Sequence, residues 1–239
     1  KDVRSVPNSL DPRTFWDLHP FVTELIDKYD LLSADIISVY PLSTPRMVSG
    51  KGLDHVIKIH SCLKKQGQRT KLIVANAHAN GQAEKDSILE LQKQAKSYGL
   101  TEQELIFTSL EKTSWEHGIP RKAVSDLFRL SSLFVFPTKS ENCSLILLEA
   151  MLSGNLLVLN DDVQSLREFA QGNALYFRFG ALDDTQFNIN NSDNYYNDIA
   201  KIILSELSTN KALLAKKQVM QNHNLDIIFK QIEQLYYEQ

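Results

Sequence analysis

The stretch Leu133–Leu152, LFVFPTKSENCSLILLEAML, decides the fold. It opens with four consecutive apolar, β-prone residues, which is the pattern of a strand buried on both faces. Pro137 stops that strand, and a polar loop, Thr138-Lys139-Ser140-Glu141-Asn142-Cys143-Ser144, follows it. The chain then enters an apolar helix at Leu145, so a buried strand feeds through a short polar loop into a helix N-terminus. Repetition of that unit makes a parallel sheet.

The same unit recurs outward in both directions. Strands are expected at Ile36–Ser43, Lys71–Asn76, Glu104–Thr108, Leu133–Pro137, Asn155–Asn160 and Ala174–Phe179. Helical runs at Leu53–Lys65, Asp86–Tyr98, Lys122–Leu130, Leu145–Leu152 and Val163–Gln171 separate them. Alternation of this kind implies right-handed crossovers. The expected class is α/β: a doubly wound, Rossmann-like parallel sheet of about six strands, helices on both faces, and a C-terminal helical segment. Three parts are expected: 1–35, an irregular connector with a lead-in helix at Asp17–Tyr29; 36–180, the sheet domain; and 181–239, helices at Tyr195–Leu207, Lys211–Gln221 and Leu225–Tyr237.

Bulk properties narrow the function. The 239 residues are 43% hydrophobic and 23% charged, with 26 basic against 29 acidic side chains. A net charge of -3 argues against nucleic acid as the main partner. Two distant cysteines, Cys62 and Cys143, build neither a disulfide framework nor a metal site, and fit a reducing compartment. No run has membrane-spanning length and no secretory leader is present, which points to the cytoplasm, possible membrane contact being left to a further domain. The chain starts at Lys1, without an initiator Met, which fits a fragment of a longer enzyme, the loss of disordered residues or processing, and composition alone does not choose among them.

In an open parallel sheet, ligands bind beyond the carboxyl ends of the strands. Two segments there carry unusual chemistry. After the first strand, Arg46-Met47-Val48-Ser49-Gly50-Lys51-Gly52 sets two cations around a glycine-bearing loop at a helix start, a combination suited to a diphosphate. An ordinary solvated loop would read the same way. After the fourth, Glu141 stands in the loop and Glu149 in the following helix, and carboxylates accept hydrogen bonds from sugar or ribose diols. The small polar Asn142, Cys143 and Ser144, with Leu145, would present helix-start amides to a ligand. Alternatively, Glu141 supports the helix N-terminus and Glu149 is a solvated face residue. The glycines form neither a Walker loop nor a dinucleotide fingerprint. Asp161-Asp162 and Asp183-Asp184 read as helix starts rather than metal ligands, and the histidines show no ligand spacing; His78 alone stands near the strand ends.

Taken together, these segments resemble the donor-binding C-terminal domain of the GT-B glycosyltransferases of family 4 (glycosyl transferases group 1). Arg46 and Lys51 match the spacing of that family's post-strand cations. Glu141-Asn142-Cys143-Ser144-Leu145-Ile146-Leu147-Leu148-Glu149-Ala150 matches its E-x7-E signature. Val6–Phe15 is similar to its interdomain connector and Asn224-Leu225-Asp226 to the start of its last helix. Asn142, Cys143 and Ser144 depart from the family's glycine-aromatic-glycine, and Asn76–Gly81 from its short glycine turn.

The resemblance implies a retaining hexosyltransferase that uses an NDP-sugar, UDP- or GDP-linked, in polysaccharide or other glycoconjugate assembly. Arg46 and Lys51 would neutralise the diphosphate and support the leaving nucleotide. Glu141 would hold the sugar, Glu149 the ribose, and the amides of Asn142–Leu145 the phosphate or hexose. No metal or cofactor is implied. The acceptor would bind a missing N-terminal domain, which the last helix would reach, leaving this chain inactive alone. A non-catalytic nucleotide-binding domain, or another GT-B enzyme such as a nucleotide-sugar epimerase, remains the alternative.

Overall fold

The computed structural model describes residues 8–42, 48–181 and 193–237. Six strands, β1 (Ile36–Leu42), β2 (Thr70–Asn76), β3 (Leu105–Phe107), β4 (Leu133–Phe136), β5 (Leu156–Asn160) and β6 (Leu175–Phe177), form one sheet. Its order is β3-β2-β1-β4-β5-β6 and every pairing is parallel. β1 pairs β2 from Ile36 opposite Thr70 to Leu42 opposite Asn76, and β4 pairs β5 from Leu133 opposite Leu156 to Phe136 opposite Leu159. Both faces are covered, which is why β4 and β5 are buried at every position.

Between β1 and β4 the strand order reverses. The first crossovers run through α3 (Val48–Lys51) with α4 (Leu53–Lys65), and α5 (Gln82–Ser97); the later ones run through α6 (Arg121–Leu130), α7 (Leu145–Ser153) and α8 (Gln164–Ala170). The carboxyl ends of β1 and β4 therefore splay their connections apart and leave a crevice, the general binding position in doubly wound sheets.

The remaining helices are α1 (Pro12–Phe15), α2 (Pro20–Tyr29), α9 (Asp193–Glu206), α10 (Lys211–Asn222) and α11 (Leu225–Tyr237). α9 packs on α4, and α10 packs on α7 and β5. α11 is different. It buries no residue, and Leu225, Phe229, Ile232, Leu235 and Tyr236 stand exposed along it.

The segment expected as an irregular connector with one helix at Asp17–Tyr29 contains two helices. The Asp11 carboxylate accepts from Arg13 N–H and Pro12 sits in the first turn, a standard helix start that produces α1. A left-handed Asp17 then breaks the chain before α2. This lead-in is tied to α6 through Asp126, which is almost fully buried. Its carboxylate accepts from His19 N–H at 2.8 Å and pairs with Lys122 and Arg129. α5 begins at Gln82, four residues before the expected Asp86, because its polar first turn carries no apolar periodicity.

Candidate functional site at the switch point

The connection leaving β1 does not stay a loop up to the long helix. Val48–Lys51 forms one helical turn, and Gly52 breaks it in the left-handed conformation, φ +75°. That break presses the turn against the end of β4. A Cβ at Gly52 would lie 2.8 Å from Pro137 Cγ and 2.9 Å from the Pro137 carbonyl oxygen. Lys139 N–H donates to the Gly50 carbonyl at 3.0 Å, and the Tyr40 hydroxyl donates to the Lys51 carbonyl. The two loops flanking the reversal are therefore joined by backbone contacts.

That junction brings Lys51 to Glu141, 90 positions apart in sequence. Lys51 Nζ lies 3.4 Å from Glu141 Oε2 and 5.8 Å from the centre of the Phe136 ring. Both side chains are largely withdrawn from solvent, at 29% and 20% exposure. At 3.4 Å the pair is looser than a well-formed ammonium–carboxylate hydrogen bond. Arg46 lies outside the described residues.

Past Glu141, the loop turns through the exposed Asn142 and Cys143 into α7. Ser144 is the N-cap, its Oγ accepting from Leu147 N–H at 3.2 Å. The loop is held from behind by groups the sequence did not flag. The Ser165 hydroxyl donates to the Glu141 carbonyl. Fully buried Asn160, the last residue of β5, donates to the carbonyls of Thr138 at 3.0 Å and Gly180 at 2.7 Å, and accepts from the N–H groups of Phe179 and Asp162. All four hydrogen-bonding positions of this amide are filled, so it fixes the loops after β4, β5 and β6 relative to one another.

Among the described residues, Glu149 shares no hydrogen bond or ion pair with Lys51 or Glu141. One turn into α7 and 36% exposed, it pairs through Oε1 with the Arg121 guanidinium of α6 at 3.1 Å. Arg121 was not singled out by the sequence, which started this helix at Lys122. The only signal was Pro120 immediately before it, a residue suited to a helix start.

The paired aspartates also differ from expectation. Asp161 and Asp162 do not begin α8, whose N-cap is Val163. Asp161 pairs with Arg167, and Asp162 pairs with Arg178 at 2.8 Å while accepting from Gly180 N–H. They stabilise the turn after β5. Asp183 and Asp184 lie outside the described residues, and no metal-type cluster occurs among the described ones.

His55, in the first turn of α4, shares a 2.7 Å hydrogen bond with the Tyr196 hydroxyl and packs on Phe179. Burial, with Lys58 and Lys139 nearby, holds its imidazole below the usual value, against Asp54. His78 is exposed, with a left-handed backbone, at the end of β2. A surface depression of about 560 Å³ lies between α5 and the segment entering β3, at the amino ends of the strands, and contains none of these groups.

Fold and site together define a class: a doubly wound α/β domain of the kind that forms half of a GT-B fold, with a cation and a carboxylate at its switch point. The chain belongs to the glycosyl transferases group 1 family, whose model matches residues 39–217. A glycosyltransferase from Rickettsia africae ESF-5 superposes with a TM-score of 0.63 at 13% identity, over 93% of this chain and 53% of that one. The Anabaena protein HepE, crystallised with UDP, gives 0.63 at 16% identity over 92% and 54%. The C-terminal domain of a group 1 family glycosyl transferase from Francisella tularensis gives 0.58 at 16% identity, over 79% and 86%. The chain thus spans about half the length of the first two, and at such identities the likeness is one of fold. Comparison with curated protein sequences gives no match. No helix among the described residues is long and apolar enough to cross a membrane.

Proposed function

We propose that this chain is the C-terminal, donor-binding half of a retaining family 4 glycosyltransferase that moves a hexose from a UDP- or GDP-sugar to a hydroxyl acceptor. The observation that carries this reading is the approach of Lys51 to Glu141 at the switch point, in a chain of this family. Lys51, with Arg46, receives the diphosphate, whose charge displaces the loose contact to Glu141. Glu141 then turns to the hydroxyls of the hexose, and the helix-start amides of Asn142–Leu145 face phosphate or sugar. Glu149 accepts from the ribose diol.

In the reaction, the bond from the anomeric carbon to the diphosphate breaks as the acceptor oxygen bonds on the same face. The acceptor proton passes to the departing phosphate oxygen. Developing negative charge on the nucleotide is met by Arg46 and Lys51, a role filled elsewhere by a divalent metal, so the scheme needs no metal or other cofactor.

The acceptor site belongs to an N-terminal domain preceding this chain. The exposed apolar side of α11 supports such a partner, because Phe229, Ile232, Leu235 and Tyr236 find no core among the described residues. Any membrane contact, at the inner face of the cytoplasmic membrane, comes through that other half, and nucleic acid has no part. A cleft with one wall excludes little water, so the isolated chain binds donor weakly and turns over little.

Calorimetric titration with UDP, GDP and ADP, beside Arg46→Ala and Glu149→Ala, tests the reading. One nucleotide should bind, and each substitution should weaken it by ~1–3 kcal/mol as a lost charged hydrogen bond does. Absence of binding to the full-length enzyme at millimolar nucleotide would overturn it.

A further inference from the structure

Arg121 is the first residue of α6, and α6 is the crossover that spans the reversal in strand order. Its backbone is well anchored. Pro120 precedes it in an extended conformation, and one turn on, buried Asp126 binds Lys122, Arg129 and the His19 N–H. From that fixed start the guanidinium reaches sideways to α7 and takes one oxygen of Glu149, Oε1, at 3.1 Å. Glu149 Oε2 has no hydrogen bond among the described residues.

This contact is a poor stabiliser. Arg121 is 88% exposed, and an ion pair so open to water contributes little to folding while restricting a long side chain. Its geometric effect is larger. A glutamate on a helix surface samples several rotamers, and a carboxylate that must accept from a vicinal diol works best when already oriented. A guanidinium held on one oxygen limits those rotamers and leaves the other oxygen available.

We propose that Arg121 is a positioning residue for Glu149, and that the pair makes the site selective for ribonucleoside over 2′-deoxyribonucleoside diphosphates. The proposal rests on the donor-site reading above, and deepens it by assigning sugar selectivity to a residue outside both loop motifs. Arg121 acts through Glu149 rather than by touching phosphate.

The test is a set of titrations of the full-length protein with UDP, GDP and ADP and their 2′-deoxy counterparts. The wild type is compared with Arg121→Ala, Arg121→Lys and Glu149→Ala, and each variant is melted in parallel. The wild type should favour the ribonucleotide by about tenfold, the scale of one hydrogen bond to a charged group. Glu149→Ala should bring the two sugars to within about twofold. Arg121→Ala should lower the preference about two- to fourfold, the scale of an exposed ion pair, with an unchanged melting temperature, and Arg121→Lys should restore part of it, a pattern that a merely structural residue would not produce.

Failure separates cleanly. If the wild type binds neither sugar form, the donor-site reading falls and takes this proposal with it; if it binds both alike, nucleotide binding stands, but Glu149 does not select ribose and this proposal falls. If wild type and Glu149→Ala behave as stated but Arg121→Ala still discriminates like the wild type, Arg121 does not position Glu149. Tighter ribonucleotide binding by Arg121→Ala would also overturn it, since Arg121 would then compete with ribose.

Discussion

Replacing Gly52 by alanine attacks the junction on which the site is built. Two costs are expected. A non-glycine residue held in the left-handed region at φ +75° costs about 1–2 kcal/mol. The added Cβ also meets the Pro137 carbonyl oxygen at 2.9 Å, a backbone atom that moves only if the β4 loop moves, and overpacking of this kind costs about 1–3 kcal/mol. Against these stands a gain of about 0.4–1 kcal/mol from the stiffer unfolded chain. The net loss should be about 2–4 kcal/mol. Gly67, just past the other end of α4, supplies the control: its φ is +86°, and no atom lies within 4 Å of its would-be Cβ. Gly67→Ala carries the strain and the unfolded-state gain without the collision, so its loss should be about 1 kcal/mol. Urea unfolding of the two variants beside the parent measures both, provided the transitions keep the same slope. Nucleotide affinity should fall for Gly52→Ala alone, because any relief of the collision moves Lys51 away from Glu141. Equal losses for the two variants would refute the close approach, and with it the argument that backbone contact brings the cation and carboxylate together.

Two further outcomes follow from buried polar groups. Asn160→Ala strands the carbonyls of Thr138 and Gly180 and two N–H groups, at about 3 kcal/mol or more. Differential scanning calorimetry should show a drop on the order of 6–12 °C; a drop below about 2 °C would mean that the loops hold without it. His60, bonded on both ring nitrogens to Thr70 and Ser38, is pushed by burial down to about 3. Because this native value lies below the unfolded one near 6.5, stability is fully present above about pH 6.5 and declines as pH falls toward 3. Between pH 7 and 5 that amounts to about 2 kcal/mol, which His60→Gln should remove from the pH dependence measured by urea unfolding. His55, lowered as well, remains in both proteins, so parallel pH profiles would count against His60.

What could be read from the chain follows from where its information is local. The six strands were legible because each is a short apolar run closed by a polar residue or proline, and β2, expected from Lys71, starts only one residue earlier at Thr70. The first turn of α5 was not, since Gln82, Glu84 and Lys85 show no helical apolar face. Alternation implied a parallel sheet, yet the position of β4 beside β1 is set by long-range pairing that no window of residues contains. The neighbourhood of Lys51 and Glu141 depends on that pairing. Asn160 and Ser165 act through single hydrogen bonds to carbonyls in other loops, and such bonds impose no periodicity. Arg121 was invisible for the same reason: its partner is 28 residues away on a different helix.

The structure divides the residues around the switch point into two sets with little overlap. Gly52, Ser144, Asn160 and Ser165 are engaged with backbone: one by close approach, one as a helix cap, two by bonds to loop atoms. The side chains of Lys51, Arg121 and Glu149 are engaged in salt links that leave donors or acceptors over, Glu141 adds to its own a 3.3 Å bond accepted from Asn142 N–H, and three of the four are more than a quarter exposed. Side chains that hold a fold together are expected to be satisfied in the unliganded state, because an orphaned buried group costs free energy continuously. Side chains that receive a ligand must keep something unsatisfied or exchangeable until it arrives. The charged set has that character, with one pair too long to be a strong bond and the other open to water. Substitutions in the first set should therefore lower stability and affinity together. Substitutions in the second should lower affinity while the melting temperature holds, and a plot of one change against the other should resolve two groups.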